Sequence, residues 1–127
     1  MDIHPRLARC KTHSEIHRGS HSTLYRAETS SALPCVVKVF TNEKGHTDDL
    51  SKPSRSFLHE LEVLCTSNHP NLVRLLDFGC TLDKGAEFLI LEWLDGEDFV
   101  SASKKTTRRD FYAMLAQVCR ALDYLHR

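Results

Sequence analysis

Lys38 and Glu60 are the two residues whose types and spacing most directly indicate chemistry. Lys38 lies in the apolar run PCVVKVF at residues 34–40, and Glu60 lies in FLHELEVL, a helical pattern that follows it. An unpaired ammonium in apolar surroundings costs several kcal/mol, so Lys38 requires an anionic partner. A carboxylate on a neighbouring helix and the phosphate of a bound ligand are the two candidates.

The elements that would position this pair follow from local patterns. Residues 15–40 alternate short β-branched or aromatic runs with turn-like clusters, which predicts an antiparallel three-stranded meander. The polar stretch TNEKGHTDDLSKPSR predicts a loop, after which Ser54 or Ser56 caps a helix that ends near Asn68. The runs LVRLL and EFLILEW, separated by the turn-rich DFGCTLDKGA, predict a hairpin.

A last helix is predicted after residue 107. Thr107 and Asp110 have the spacing of a capping box, in which both side chains accept from free amides at a helix start. An amphipathic stripe follows at Phe111, Met114, Leu115, Val118, Leu122 and Leu125. We expect Phe111, Leu115, Val118 and Leu122 of this stripe to be exposed to water, which predicts self-association or poor solubility of the 127-residue chain.

The order of these segments resembles the amino-terminal lobe of a protein kinase. The matching strings are IHRGSHSTLYRA for the glycine-rich loop and second strand, VVKVF for the strand-3 lysine, and HELEVLCTSNHPNLVRLL for helix C and strand 4. Next come EFLILEWLDGEDF for strand 5 and the hinge, and RRDFYAMLAQVCRALDYLH for the first long helix of the carboxy-terminal lobe. The resemblance implies an α+β fold, with a five-stranded antiparallel sheet, helix C, a hinge and one long helix.

The resemblance also implies how the chain is divided. Residues 1–14 are expected to form an amino-terminal extension, 15–91 the amino-terminal lobe, 92–106 the hinge and linker, and 107–127 the first helix of the carboxy-terminal lobe. The family's catalytic loop and metal-binding segment would come after that helix, so the given sequence contains neither the catalytic aspartate nor the metal ligands. We therefore expect the 127-residue chain to be inactive alone.

One tripeptide has the same residues as the family's metal-binding segment but lies at a different position. Asp77, Phe78 and Gly79 spell the family's magnesium-binding tripeptide, yet they directly follow HPNLVRLL, where the family has strand 4. The position predicts a strand end turned by glycine.

The resemblance selects the residues of an ATP site. Lys38 would contact the α and β phosphates and Glu60 would fix Lys38. Helical periodicity alone does not decide between Glu60 and Glu62, but the family's spacing to the His-Pro-Asn turn selects Glu60. Leu91 would be the gatekeeper, with the Glu92 carbonyl and the Leu94 amide facing the adenine edge. The full set of ATP-binding residues is Ile16, Gly19, Leu24, Val36, Lys38, Val73, Leu91, Glu92 and Leu94.

The glycine-rich loop departs most from the family pattern. Its three glycine positions align with His17, Gly19 and Ser22, so one glycine of three is present. Val36 also replaces the usual alanine above the adenine, which narrows the pocket. We therefore expect weak or absent ATP binding by this chain alone, and magnesium binding only together with the carboxy-terminal lobe.

Composition excludes several other classes of function. Seventeen basic and seventeen acidic side chains give a formal net charge of zero, which gives no electrostatic case for nucleic-acid or membrane binding. No run is apolar enough for a membrane span, and the first residues lack the apolar core of a signal peptide, so a cytoplasmic location is expected. Five scattered cysteines predict neither a disulfide framework nor a zinc site. His13, His17 and His21 have helical metal-ligand spacing, but Gly19 disfavours a helix there.

Two functions from different classes stay open at this point. In the first, the chain is part of a serine/threonine-type protein kinase that transfers the ATP γ-phosphate to a protein hydroxyl. In the second, it is a non-catalytic kinase-like remnant or pseudokinase that acts as a protein-interaction module. The coding sequence that follows codon 127 would distinguish them.

Overall fold

The computed structural model describes residues 10–41, 53–80 and 85–127. The strands are β1 (Cys10–Arg18), β2 (Ser22–Thr29), β3 (Pro34–Phe40), β4 (Leu75–Cys80) and β5 (Glu87–Glu92). The helices are α1 (Arg55–Thr66), α2 (Phe99–Ser103) and α3 (Arg108–His126). All strand pairs are antiparallel, in the spatial order β1-β2-β3-β5-β4. The predicted α+β fold, with five antiparallel strands and a helix after the third, is confirmed.

The chain forms two compact units. The first contains the five-stranded sheet and α1, and its two segments end at Thr66 and at Trp93. The second combines Ser67–Val73 with Leu94–Arg127 and therefore contains α2 and α3. No helix among the described residues has both the length and the apolar character needed to cross a membrane.

The sheet buries one apolar face in a core of its own. Side chains on this face come from alternate positions of the central strands, as the two-residue period of a strand requires. Five of them are at most 3% exposed: Ala27, Cys35, Val37, Phe88 and Ile90. Because β3 contributes Cys35 and Val37 to this core, its even-numbered side chains must lie on the opposite face.

Helix α1 begins where the sequence predicted a cap. The hydroxyl of Ser54 accepts a hydrogen bond from the Phe57 amide at 3.3 Å, so Ser54 and not Ser56 is the capping residue. Phe57 is buried, with its ring centroid 5.5 Å from that of Phe40 in an edge-to-face arrangement. The helix ends at Thr66, close to the predicted end near Asn68.

The course of β4 corrects the sequence prediction. The strand starts at Leu75 instead of Leu72, and it continues through Asp77, Phe78 and Gly79 to Cys80. The predicted glycine turn at Gly79 is therefore wrong, because Gly79 pairs with Phe88 inside the sheet. After a register shift between Leu75 and Asp77, the strand stays paired with β5 as far as Cys80, where it ends. Similarly, β1 begins at Cys10, five residues before the start of the predicted meander.

The second unit contains one helix that the sequence analysis missed. The short helix α2 lies in the stretch predicted as linker, and Asp98 caps it by accepting hydrogen bonds from the Ser101 amide at 2.9 Å and the Ser101 hydroxyl at 2.7 Å. At five residues it is too short for a periodic pattern. In α3, the Thr107 hydroxyl accepts from the Asp110 amide at 3.2 Å, which confirms the Thr107 half of the predicted capping box.

The turn between β2 and β3 provides a first test of the fold. Ala32 has φ of 59° in a three-residue loop closed by the Thr29 and Leu33 backbones. A non-glycine residue in this left-handed conformation costs about 1–2 kcal/mol of strain, which a glycine at position 32 would relieve. Part of this stabilisation is lost because glycine also gives the unfolded chain more conformational entropy. We expect Ala32→Gly to raise the free energy of unfolding by about 0.5–1 kcal/mol in urea titrations. Ser31→Gly is the control, and equal stability of the two variants would contradict this account.

The Asp98 cap provides a second test, through pH. Hydrogen bonds from the Ser101 amide and hydroxyl lower the pKa of the Asp98 carboxyl below its ordinary value of 3.8. Since the folded pKa is the lower one, the cap is fully effective above pH 3.8 and is lost as pH falls through the folded value. Carbon-13 titration should show a midpoint below 3.8, and Ser101→Ala should raise it. A wild-type midpoint at or above 3.8 would refute the cap.

Candidate functional site

The structure brings Lys38 and Glu60 together in the first unit. The Lys38 Nζ atom lies 2.8 Å from Glu60 Oε1 and 2.9 Å from Oε2, so the ammonium contacts both carboxylate oxygens. Lys38 is on β3 and Glu60 is in the second turn of α1. The two side chains are 22% and 33% exposed, which places the pair at the edge of the protein interior. A charge pair in this position is partly desolvated and less screened by salt than a surface pair.

The register of the sheet determines what else lies beside Lys38. Leu24 on β2 and Leu89 on β5 are directly opposite Lys38 in the two ladders, so the three side chains share one face. Leu89 is fully buried and Leu24 is half-buried. The Lys38 ammonium also lies 5.2 Å from the centroid of the Phe40 ring, within range of a cation–π interaction. These apolar neighbours explain why Lys38 needs its carboxylate partner.

Glu60, and not Glu62, is the partner that α1 presents to β3. The Glu60 carboxylate is bonded to Lys38, whereas Glu62 is exposed. The backbone carbonyl of Glu62 accepts a hydrogen bond from the Thr66 hydroxyl at 2.8 Å near the end of the helix. The structure therefore pairs the residue that the kinase-like spacing selected, where helical periodicity alone had left the choice open.

Two further predicted site residues adjoin the pair on the same face. Val36 is opposite Leu91 in the ladder between β3 and β5, two residues before Lys38 along β3. Leu91 is 8% exposed and Val36 is half-buried. With Leu24, they form an apolar wall on the face of the sheet from which the Lys38 ammonium projects.

Four other predicted residues lie on other parts of the chain. Ile16 lies where the register of β1 shifts against β2, and it is 48% exposed. Val73 and Leu94 belong to the second unit, where Val73 is half-buried and Leu94 is exposed. Glu92 ends β5. The assignment of all nine residues to nucleotide binding stays a prediction.

The hairpin between β1 and β2 occupies the position of the glycine-rich loop. The Gly19 amide donates to the Ser22 carbonyl at 2.8 Å, which closes a tight turn, and the side chains of His17 and His21 are exposed. A Cβ atom added to Gly19 would lie 3.4 Å from the Ser22 oxygen and 3.8 Å from His17 Nε2, which are ordinary contacts. The turn therefore does not itself require glycine at position 19, and the role of Gly19 in nucleotide binding stays a prediction.

Sequence reasoning missed two contacts at the start of the hinge. The Glu92 carboxylate accepts a hydrogen bond from the Arg74 amide at 2.8 Å, while the Glu92 amide donates to the Arg74 carbonyl at 3.0 Å. The Arg26 guanidinium lies 4.9 Å from the centroid of the Trp93 ring. Both contacts fix the end of β5, and neither has a local sequence signal because the partners are far apart in the chain.

A buried carboxylate at the opposite end of β5 was also missed. Glu87 is 3% exposed, and its two oxygens accept hydrogen bonds from the Ser54 amide at 2.5 Å and from the Ser54 hydroxyl at 2.6 Å. In the sequence Glu87 is simply the polar residue before the run FLIL, which gave no reason to expect burial.

The described part of the chain has no cluster of side chains that could bind a metal ion, and its buried cysteine is protonated. Within residues 10–41, 53–80 and 85–127, no cluster of three or more histidine, cysteine, aspartate or glutamate residues could bind a metal ion. His13 instead lies 3.3 Å from the Glu28 carboxylate. All five cysteines are free, and burial raises the pKa of the Cys35 thiol to about 12, which keeps it protonated and unreactive at neutral pH.

Comparison with known proteins identifies the family. The sequence profile of the protein kinase domain matches residues 10–127. The chain belongs to the protein kinase family. In kinase terms, β3 contains the strand-3 lysine, α1 is helix C, and the sheet with α1 is the amino-terminal lobe, while α3 is a helix of the carboxy-terminal lobe.

The curated relatives are serine/threonine and receptor-like kinases. The salt tolerance receptor-like cytoplasmic kinase 1 of rice is 34% identical over 124 residues, covering 87% of this chain and 31% of that protein. The serine/threonine-protein kinase ULK3 of Xenopus laevis is 30% identical over 131 residues, covering 96% of this chain and 26% of its own length. A probable receptor-like protein kinase of Arabidopsis thaliana is 30% identical over 116 residues, covering 87% of this chain and 13% of that protein. The chain thus spans about a third or less of the length of these kinases.

The Lys38–Glu60 pair gives a stability prediction with a matched control. Replacing Glu60 with glutamine removes the charge opposite a partly buried ammonium, whereas Glu62→Gln removes the charge of an exposed carboxylate two residues later. We expect Glu60→Gln to lower the free energy of unfolding by about 1 kcal/mol and Glu62→Gln to change it by less than about 0.5 kcal/mol. Urea titration at low salt measures both, and equal effects would show that Glu60 makes no special contact.

Proposed function

We propose that this chain forms the ATP-binding part of a serine/threonine-type protein kinase, whose complete form transfers the γ-phosphoryl group of ATP to a protein hydroxyl. The observation that supports this most is the contact of Lys38 with both carboxylate oxygens of Glu60, at 2.8 and 2.9 Å. Protein kinases require this lysine–glutamate pair to be in place for catalysis.

The residues of the first unit fit the two ends of a nucleotide. Val36, Leu91 and Leu24 supply an apolar wall for the adenine, and Lys38 supplies the positive charge for the α and β phosphates. Glu60 keeps the lysine side chain extended toward the phosphates. In this proposal the Glu92 carbonyl and the Leu94 amide bind the adenine edge through the main chain, and Ile16 and Val73 complete the pocket.

The chemistry of transfer requires groups that the described residues do not supply. Magnesium, when bound in a kinase, neutralises the charge that develops on the transferred phosphate, and an aspartate orients the acceptor hydroxyl. No described cluster of carboxylates fits a metal ion, and Asp77 lies within β4, with its Oδ1 atom accepting from the Phe78 amide at 2.8 Å. We therefore expect no phosphoryl transfer by residues 1–127 alone, and magnesium binding only where a carboxy-terminal lobe is present.

The glycine-rich loop supports a second candidate, a non-catalytic kinase-like module that binds a protein partner. Gly19 is the one glycine at the three positions of the loop, beside exposed histidines at positions 17 and 21. These side chains would crowd a triphosphate that the family usually meets with backbone alone. A coding sequence that continues after codon 127 into a catalytic loop and a second Asp-Phe-Gly would favour the enzyme, and a stop codon would favour the module.

Two properties of the whole chain belong to the same proposal. Helix α3 exposes an apolar stripe formed by Leu115, Val118, Leu122 and Leu125, each between 38% and 46% exposed. Phe111 was expected to be exposed as well, but it is half-buried because its ring lies 5.8 Å from the Phe99 ring of α2. Such a stripe supports the predicted self-association of the isolated chain. A cytoplasmic location, with ATP and a protein substrate as partners, is what the proposed kinase function implies.

Nucleotide binding is the direct test of this proposal. Because the described residues provide an apolar wall and one cation but no metal site, we expect ATP to bind no more tightly than about 1 mM, near 4 kcal/mol. Titration calorimetry of the 127-residue chain with ATP, with and without magnesium, measures this affinity. Lys38→Met should abolish the residual binding, whereas Lys11→Met, on the exposed strand β1, should not change it. A micromolar, magnesium-dependent affinity would show that the site is more complete than proposed, and residual binding that Lys38→Met does not change would refute the role of Lys38.

A further inference from the structure

The buried Glu87 carboxylate has an unusual set of partners for a strand residue. It lies at the first position of β5, and both of its oxygens are bonded to Ser54, one to the amide at 2.5 Å and one to the hydroxyl at 2.6 Å. Burying a carboxylate is costly unless it is paired and hydrogen-bonded. Two short, charge-assisted bonds to a single residue therefore attach that residue firmly to the sheet.

Ser54 is the residue from which α1 starts. Its hydroxyl accepts from the Phe57 amide at 3.3 Å, and its carbonyl accepts from the Leu58 amide at 3.0 Å. The same hydroxyl thus donates to Glu87 and accepts from the helix, which uses both hydrogen-bonding capacities of a serine. Through this one side chain, Glu87 is connected to the first turn of α1.

Glu60 lies one turn further along the same helix. From residue 54 to residue 60 the helix rises by only about 9 Å, too short a distance for it to bend appreciably. A displacement of the amino end of α1 would therefore move the Glu60 carboxylate as well. Phe57, packed against Phe40, lies between the two attachment points and is the apolar part of the same contact.

We propose that Glu87 is a positioning residue, which fixes Ser54 and thereby the amino end of α1 so that Glu60 reaches Lys38. This inference rests on the proposed function of the Lys38–Glu60 pair. It adds that the contact between Glu87 and Ser54 helps that pair to form. Helix α1 is then attached to the sheet at two points, to β5 through Glu87 and to β3 through Glu60. Loss of the first attachment weakens the second.

The proposal predicts an unusual effect of negative charge at this helix end. An acidic residue in the first turn normally stabilises a helix by interacting with its dipole. A carboxylate or a phosphate at position 54 would instead face the Glu87 carboxylate and repel it, and it would have no hydrogen to donate. The exposed Ser56, two residues later, is the matched control because the same charge there faces solvent.

The test measures the reactivity of the Lys38 amine in the 127-residue chain without nucleotide. Acetylation by a water-soluble succinimidyl ester, followed residue by residue with mass spectrometry, reports whether Lys38 is paired, while the other lysines report general unfolding. We expect Ser54→Asp to raise the acetylation rate of Lys38 selectively by about fivefold, which corresponds to about 1 kcal/mol. Ser56→Asp should leave the rate unchanged, and Ser54→Thr, which retains the hydroxyl, should preserve the wild-type rate.

A double-variant comparison distinguishes positioning from simple destabilisation. In a Glu60→Gln background the Lys38 amine is already unpaired, so adding Ser54→Asp should produce no further selective rise. If Ser54→Asp does not fold, Glu87→Gln serves instead, because it retains the shape of the side chain and removes its charge. Equal Lys38 acetylation rates in Ser54→Asp and Ser56→Asp would overturn the proposal. So would a rise in the Lys38 acetylation rate caused by Ser54→Asp that is the same in the wild-type and Glu60→Gln backgrounds. Because nucleotide is not added, this outcome is independent of whether the chain binds ATP.

Discussion

A lysine ammonium among apolar side chains, on the face of the sheet opposite the Cys35–Val37 core, is the constraint on which the first unit depends. Lys38 lies between Leu24 and Leu89 on neighbouring strands, and the Glu60 carboxylate compensates its charge from α1. Removing one partner alone would leave an uncompensated, partly buried charge, which is less favourable than removing both partners together. The position of α1 against the sheet and the register of β3 are therefore coupled through a single ion pair.

The side chains of β3 alternate between the buried core and the candidate site. The odd-numbered residues Cys35 and Val37 enter the buried core with Phe88 and Ile90, while the even-numbered Lys38 faces the site. A register shift of one residue would exchange the two faces and place the ammonium in the core. The ion pair thus also specifies the register. Glu87 adds a second contact between α1 and the sheet, because its buried carboxylate attaches Ser54, at the start of the helix, to β5.

Sequence patterns were sufficient where a local signal existed and failed where partners were distant. Lys38 was recognisable as a cation within a run of valines, and the start of α1 was recognisable from two possible caps, Ser54 and Ser56, before a helical pattern. The extension of β4 through Gly79 and the burial of Glu87 were not predictable, because both depend on pairing across the sheet. The choice of Glu60 over Glu62 required family spacing as well as periodicity. Helix α2 was too short to be recognised, although the spacing of Asp98 and Ser101 was a usable signal.

The central claim is that Lys38 and Glu60 are paired in solution, and lysine ammonium NMR measures this most directly. With nitrogen-15 labelled lysine at low temperature, the account predicts one ammonium signal with slowed proton exchange, assigned by its absence in Lys38→Met. In Glu60→Gln, that signal should broaden beyond detection because the ammonium protons exchange rapidly with water. In Glu62→Gln, it should persist. A Lys38 ammonium that exchanges as fast as exposed lysines in the wild-type chain, or that is equally protected without the Glu60 charge, would contradict the account.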